Sequence, residues 1–109
     1  MEEVSYEEFS KMDFRIGLVE SADEVEKSEN LLRLTVDFGG EKRQVISGIK
    51  KFYSPEDVVG KKFVFITNMK ERKIMGLLSQ GMLLAAESED AGIVALQPEK
   101  DIAEGSKIK

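Results

Sequence analysis

Apolar and polar residues alternate along much of the chain, which predicts a protein built mainly from short β-strands. The alternation runs from Phe14 to Val19 and again from Leu32 to Phe38. A period of two places every second side chain on one face of a strand, so each segment is expected to bury one face. Gly39 and Gly40 supply a hairpin turn into a third strand at residues 44–47.

Two capping signals predict short helices. Ser5 and Glu8 have the spacing of a capping box, and the helix that they begin is expected to end near Met12. Ser54 before Pro55, with Gly60 as the stop signal, predicts a second helix between the third and fourth strands.

The remaining segments complete a set of five or six strands, at 63–66, 81–86 and 93–96, while the acidic stretch 21–30 lacks apolar periodicity and predicts an exposed loop. Strands in this order, with one helix between the third and fourth, match the OB-fold, a five-stranded Greek-key barrel. Periodicity alone also leaves a small β-sandwich open. The tail, residues 98–109, retains apolar side chains and is expected to pack against the barrel.

Composition removes most catalytic chemistry. The chain contains neither cysteine nor histidine, which excludes disulfides, thiolate nucleophiles, Cys/His zinc sites and histidine bases. Carboxylate, lysine, serine or tyrosine chemistry remains, but the acidic clusters near the N-terminus are interpreted as solubilising faces rather than acid/base pairs. We expect no metal, no cofactor and no enzymatic activity. The start of the chain lacks the features of a signal peptide and no apolar run is long enough for a membrane span, so a cytoplasmic location is expected.

Charge is distributed unevenly along an acidic chain. The net charge is −5, but residues 42–73 carry nine Lys or Arg against three Asp or Glu, a net of +6. Residues 1–41 carry four against twelve, and residues 74–109 carry three against six. Since a polyanion responds to the field within about 10 Å, the basic middle third is a candidate phosphate-binding region. Solvated surface lysines are the alternative explanation.

The segment from Asn68 to Met82 contains three cations directly after the fourth predicted strand, at Lys70, Arg72 and Lys73. Cations on a loop at the rim of a barrel are accessible to phosphates. Ser79 and Gln80 follow as neutral hydrogen-bonding groups suited to ribose hydroxyls or base edges. These five residues are the candidate RNA contacts that the residue types themselves indicate.

This segment closely resembles the signature of the tRNA-binding domain that occurs at the C-terminus of methionyl-tRNA synthetases, in phenylalanyl-tRNA synthetase β chains and in free-standing structure-specific tRNA-binding proteins. The segments 12–17, 45–56 and 96–108 resemble other parts of the same family. The resemblance therefore covers nearly the whole chain from about Tyr6. It implies one tRNA-binding OB-fold domain over residues 1–109, stand-alone or as the C-terminal module or partner of a methionyl-tRNA synthetase.

The family resemblance also assigns individual residues. It implies that Ser79 and Met82 belong to the tRNA-contacting set, with a plain core methionine as the alternative for Met82. It places Asn30 where the family usually has a binding lysine, and Lys27 lies three residues away as a substitute. The scarcity of free aromatic residues favours recognition of a folded RNA's shape over the reading of unstacked bases.

The resemblance further implies a homodimer and a binding mode. Family members dimerise through the outer barrel face and the C-terminal segment, which implies interface roles for Phe63, Phe65, Ile102 and Ile108. The ligand implied is the outer corner of L-shaped tRNA, bound with little dependence on sequence, which raises the local tRNA concentration for a synthetase. The alternative function is that of the family's secretion-chaperone branch, a chaperone or protein-interaction module.

Overall fold

The computed structural model describes all residues, 1–109, and consists mostly of strands. The elements in chain order are α1 (Tyr6–Ser10), β1 (Phe14–Glu24), β2 (Leu32–Asp37), β3 (Lys42–Ser47), α2 (Pro55–Val58), β4 (Lys62–Ile66), β5 (Arg72–Ile74), β6 (Leu77–Ser79), β7 (Met82–Leu83), β8 (Ala85–Ser88) and β9 (Gly92–Ala95). Neither helix has the length or the apolar run needed to cross a membrane.

Five strands form a nearly closed antiparallel barrel. Their order in the sheet is β3-β2-β1-β4-β7, and α2 lies between β3 and β4 in the chain. The barrel closes where the Gln80 amide, next to β6, donates to the Gln44 carbonyl of β3 at 2.8 Å. This topology confirms the OB-fold prediction and excludes the two-sheet sandwich.

The barrel interior is filled by one apolar cluster. Leu32, Leu34 and Val36 alternate into it from β2, as their period of two predicts. Gly17 of β1 lies so close to this cluster that a Cβ atom there would stand 2.5 Å from Cγ1 of Val36. Because such contacts are forbidden, the first strand tolerates no side chain at that point.

Phe63 and Phe65 were expected in a dimer interface, and that prediction is wrong. Phe63 is 2% exposed and Phe65 is fully buried, with its ring edge-on to Phe38 at 5.4 Å between centroids. Because residues 63–66 are all apolar, the sequence does not indicate which face of this strand is directed into the barrel. The outward residues of β4 are Val64 and Ile66.

The acidic segment 21–30 is also only partly a loop. The first strand continues through Glu24, with Asp23 paired opposite Arg33 and Ala22 opposite Leu34. A register shift at Glu20 inserts one extra residue, and this bulge allows the strand to turn while it keeps its partner. The segment 81–86, which was predicted to be one strand, instead contributes to two strands, β7 and β8.

The C-terminal tail packs on the barrel, as predicted. The Ile16 amide donates to the Ser106 carbonyl and the Ile108 amide donates to the Phe14 carbonyl, both at 2.9 Å. At the other end of the tail, the Lys62 ammonium lies 2.9 Å from Asp101. The tail is therefore held to β1 by backbone hydrogen bonds and to β4 by the ion pair with Lys62.

Asp13 joins three parts of the chain at the start of β1. Its carboxylate accepts from the Arg15 guanidinium at 2.9 Å, from the Thr67 hydroxyl at 2.6 Å and from the Lys107 ammonium at 3.0 Å. The Arg15 and Thr67 hydrogen bonds, and that of Lys107, hold the pKa of the Asp13 carboxyl well below its usual range. The ionised carboxylate thus fastens the end of β4 and the tail to β1.

Replacing Asp13 with Asn is expected to lower the free energy of unfolding by about 1–3 kcal/mol at neutral pH, because hydrogen bonds from charged donors are lost. The pKa of Asp13 is lowered in the folded state, so the stabilisation is complete above the ordinary aspartate pKa of about 3.9 and declines as the pH falls below it. Urea unfolding at pH 7 and at successively lower pH measures this. The Glu29→Gln variant, which changes an exposed carboxylate without an ion pair, is the control; equal losses in both variants would contradict the role of Asp13.

Candidate nucleic-acid interface

A small hairpin lies between the fourth and last strands of the barrel. Arg72 pairs with Ser79, Lys73 with Leu78 and Ile74 with Leu77. The turn is formed by Met75 at φ 51° and Gly76 at φ 81°, and two successive positive φ angles are those of a type I′ turn. The sequence predicted a loop here, whereas the structure shows a twisted β-hairpin that presents its side chains in fixed positions.

The three cations of the candidate site are exposed and unpaired. Lys70 precedes the hairpin, and Arg72 and Lys73 lie in its first strand. Glu71 stands between them in sequence, but its carboxylate accepts from the Gln80 side-chain amide at 3.3 Å and forms no ion pair with them. Their full charge is therefore available to an anion.

Most other clustered cations of the chain are neutralised in place. The basic residues that do form ion pairs with Asp or Glu are Arg15, Arg33, Lys42, Arg43, Lys50, Lys62 and Lys107. Three unpaired cations within four residues thus distinguish the hairpin from the rest of the basic region. The chain contains no group of three or more acidic side chains arranged to hold a metal ion.

Ser79 does not contribute an accessible hydroxyl, contrary to the expectation that it contacts RNA. It is 2% exposed, its hydroxyl accepts from the Ile46 amide at 3.0 Å and donates to the Gly81 carbonyl at 3.1 Å. The hydroxyl therefore fastens the second strand of the hairpin to β3.

Gln80 also has its side chain engaged within the protein. Its carbonyl oxygen accepts from the Gln44 amide at 3.2 Å, and its amide group is the donor to Glu71. Gln44 in turn donates from its side chain to the Leu78 carbonyl at 2.8 Å. Gln44 was not identified from the sequence, because a glutamine in a strand carries no signal of this role. Both glutamines position the hairpin.

Met82 and Asn30 lie outside the hairpin. Met82 is 36% exposed and pairs with Ile66 on β4, so it shares the outer face of the barrel. Asn30 is exposed in the loop between β1 and β2, and its carbonyl accepts from the Lys50 amide at 3.0 Å. The Lys50 ammonium donates to the Ser28 carbonyl at 2.8 Å and lies 4.0 Å from the Glu24 carboxylate, so Lys50 fastens this loop and its charge is paired.

The hairpin tip and the β1–β2 loop meet at one end of the barrel. They share a cleft of about 350 Å³, which is lined by Glu24, Val25, Glu26, Arg33, Met75 and Leu77. The structure thus brings together the hairpin tip, at Met75 and Leu77, and the end of β1 with the loop after it, whereas Lys70, Arg72, Lys73 and Asn30 do not line the cleft. OB-folds bind oligonucleotides with these two loops and the sheet between them.

Comparison with known sequences identifies relatives over the full length of the chain. The family model described as "Putative tRNA binding domain" matches residues 14–107. The methionine–tRNA ligase of Methanocaldococcus jannaschii is 48% identical over 109 residues, which is 100% of this chain and 17% of the ligase. Methionine–tRNA ligase 1 of Bacillus anthracis is also 48% identical, over 99% of this chain and 16% of the ligase. The chain therefore spans about a sixth of the length of these relatives.

Solved structures share the whole fold. A MetRS-related protein from Pyrococcus horikoshii superposes with a TM-score of 0.94 at 37% identity, covering 100% of both chains. The chaperone CsaA from Bacillus anthracis superposes with a TM-score of 0.89 at 32% identity, covering 99% of this chain and 100% of that one.

Replacing Ser79 with Ala is expected to lower the free energy of unfolding by about 1–3 kcal/mol, because the buried Ile46 amide loses its acceptor. Amide hydrogen exchange should also become faster at Ile46 and along the hairpin. Ser21→Ala, at an exposed serine whose hydroxyl makes no hydrogen bond, is the control. Exchange that stays as slow as in the unsubstituted protein would show that the hydroxyl does not hold the hairpin.

Proposed function

The chain belongs to the tRNA-binding domain family, and from that premise we propose that it holds folded tRNA on the β5–β6 hairpin, as a binding module that carries out no reaction itself. The observation that supports this proposal best is the set of unpaired cations at Lys70, Arg72 and Lys73 on a fixed hairpin. The other proposed contacts are Asn30, exposed on the β1–β2 loop, and Met82, on the outer face of the barrel.

Recognition is proposed to be structure-specific and tolerant of sequence. Single-strand binders stack bases on exposed aromatic rings. Here Tyr6 and Phe52 are the only aromatic residues among the exposed large apolar side chains, and neither belongs to the hairpin. Cations without stacking platforms bind the phosphate backbone, whose spacing depends on how the RNA is folded. The ligand proposed is accordingly the outer corner of L-shaped tRNA.

The biological role proposed is to increase the local concentration of tRNA for an aminoacyl-tRNA synthetase. The chain matches about a sixth of each methionine–tRNA ligase. When a binding module is attached to a catalytic domain, or associated with it, a tRNA held by the module meets the catalytic domain in an intramolecular step. This role would be carried out in the cytoplasm, either by the separate chain or as part of a longer synthetase.

A homodimer is proposed on the outer face of the barrel. An apolar groove of about 600 Å³ lies there, and Ile102 and Ile108 of the tail line it together with Val64, Leu84 and Leu96. Ile102 is 46% exposed in the single chain. A second copy would bury this groove and place two hairpins on one particle, so that both can contact one tRNA.

Chaperone activity is the second candidate, because the fold superposes on CsaA over 99% of the chain and the apolar groove is open in the single chain. An extended apolar peptide would compete with the second copy for that groove. Binding of such a peptide without any retention of tRNA would favour this candidate.

Replacing Lys70, Arg72 and Lys73 together with Gln is expected to weaken tRNA binding and to reduce the slope of log K against log salt by about three units, since each phosphate contact contributes about one unit. Filter binding of total tRNA at several salt concentrations measures both effects. Binding that stays intact would show that the hairpin is not the site.

A matched control distinguishes the effect of removing the hairpin cations from the effect of changing the net charge. The Arg72→Gln and Lys73→Gln double variant removes the same charge as a Lys61→Gln and Lys100→Gln double variant, whose lysines are exposed, unpaired and at the opposite end of β4. Only the double variant of the hairpin should lose affinity for tRNA.

Unlabelled single-stranded RNA should compete for the protein less well than unlabelled tRNA. Equal competition by the two RNAs would contradict structure-specific binding.

Replacing Ile102 with Glu is expected to convert a dimer to a monomer, because a carboxylate would be buried in the apolar groove. Light scattering after size-exclusion chromatography measures the mass. Val59→Glu, at an equally exposed apolar residue that does not line the groove, should leave the dimer intact. A dimer that persists in the Ile102 variant would place the interface elsewhere.

A further inference from the structure

Two cations on the outer face of β2 and β3, and a third at the adjoining end of the barrel, each form an ion pair with a carboxylate of the first strand. The ion pairs are Lys42 with Glu20 at 3.1 Å, Arg33 with Asp23 at 3.4 Å and Lys50 with Glu24 at 4.0 Å. All three carboxylates come from one five-residue stretch, and they neutralise one basic side chain of β2, one of β3 and one of the loop after β3.

The first strand places Glu20 and Asp23 beside cations of the outer face, and it places Glu24, which is opposite the buried Leu32, beside Lys50 at the end of the barrel. The bulge at Glu20 shifts the register between Val19 and Ser21, after which Asp23 stands directly opposite Arg33. The strand continues for 11 residues, beyond the part that fills the core, to Glu24. The acidic extension of β1 is thus held in place by backbone pairing with β2.

We propose that Glu20, Asp23 and Glu24 determine specificity by cancelling the positive potential of this sheet face and of the barrel end beside it, so that extended single-stranded RNA does not bind there. The inference rests on the proposed tRNA binding, because it explains why RNA is confined to the hairpin. In other OB-fold barrels this face combines cations with aromatic rings to hold oligonucleotides. Here the neighbouring outward residues are Ser21, Thr35 and Gln44, which offer no stacking surface.

Charge alone therefore decides whether this face attracts a polyanion. A cation paired within about 4 Å presents little net charge beyond the Debye length of about 10 Å, whereas an unpaired cation attracts phosphate over that range. The hairpin cations lack such partners. Phosphates are expected to be directed to the hairpin and away from the sheet.

The test is a triple variant with Glu20→Gln, Asp23→Asn and Glu24→Gln. These substitutions keep the side-chain size and the capacity to form hydrogen bonds, and they remove the negative charge. Exposed ion pairs contribute little to stability, so thermal unfolding should change little. Binding is measured for a uridine oligonucleotide of about 20 residues and for total tRNA. We expect oligonucleotide affinity to rise on the order of tenfold, with a salt slope steeper by about two units, because three phosphate contacts become available.

The control carries the same change in net charge elsewhere, with Glu56→Gln, Glu89→Gln and Glu99→Gln at exposed carboxylates that form no ion pair. An equal gain in the control, or no gain in the folded triple variant, would overturn the inference. Absence of tRNA binding by the unsubstituted protein would overturn the proposed function instead, because the oligonucleotide measurement reports on the sheet face independently.

Discussion

The placement of positive charge on an acidic barrel is the constraint on which the rest depends. The chain has a net charge of −5, so a polyanion is repelled unless cations are concentrated and left without partners. The β5–β6 hairpin meets both conditions at Lys70, Arg72 and Lys73. Its position depends on the buried hydrogen bond that the Ser79 hydroxyl accepts from the Ile46 amide and on the two glutamines, Gln44 and Gln80. The barrel thus provides a rigid support for a small charged element.

The same barrel distributes its other charges differently. Basic side chains on the sheet face are neutralised by the extended first strand, and Lys62 and Lys107 are used to fasten the tail through Asp101 and Asp13. Ion pairs therefore have two roles here. Those of the tail fasten it to the barrel, and those of the first strand cancel positive charge that would attract phosphate. Both leave the hairpin as the feature of the surface that is organised for an anion.

Much of the fold could be predicted from the sequence, because alternation over β2 and the capping box at Ser5 are local signals that the structure preserves. The long first strand could not, since the residues after Val19 are polar and owe their conformation to pairing with β2. Phe63 and Phe65 were assigned to the wrong side because the fourth strand is apolar on both faces. The motif singled out residues 68–82 but predicted a loop where the structure has a hairpin, and it did not distinguish side chains that face solvent from Ser79, whose burial depends on contacts with β3.

The central claim is tested most directly by lysine acetylation footprinting of the unsubstituted protein with and without tRNA. The account predicts that tRNA protects Lys70 and Lys73 from the reagent, while the equally exposed Lys61 and Lys100 react at unchanged rates. Protection of Lys61 and Lys100 with Lys70 and Lys73 still reactive, or no protection at all under conditions in which tRNA is bound, would contradict it.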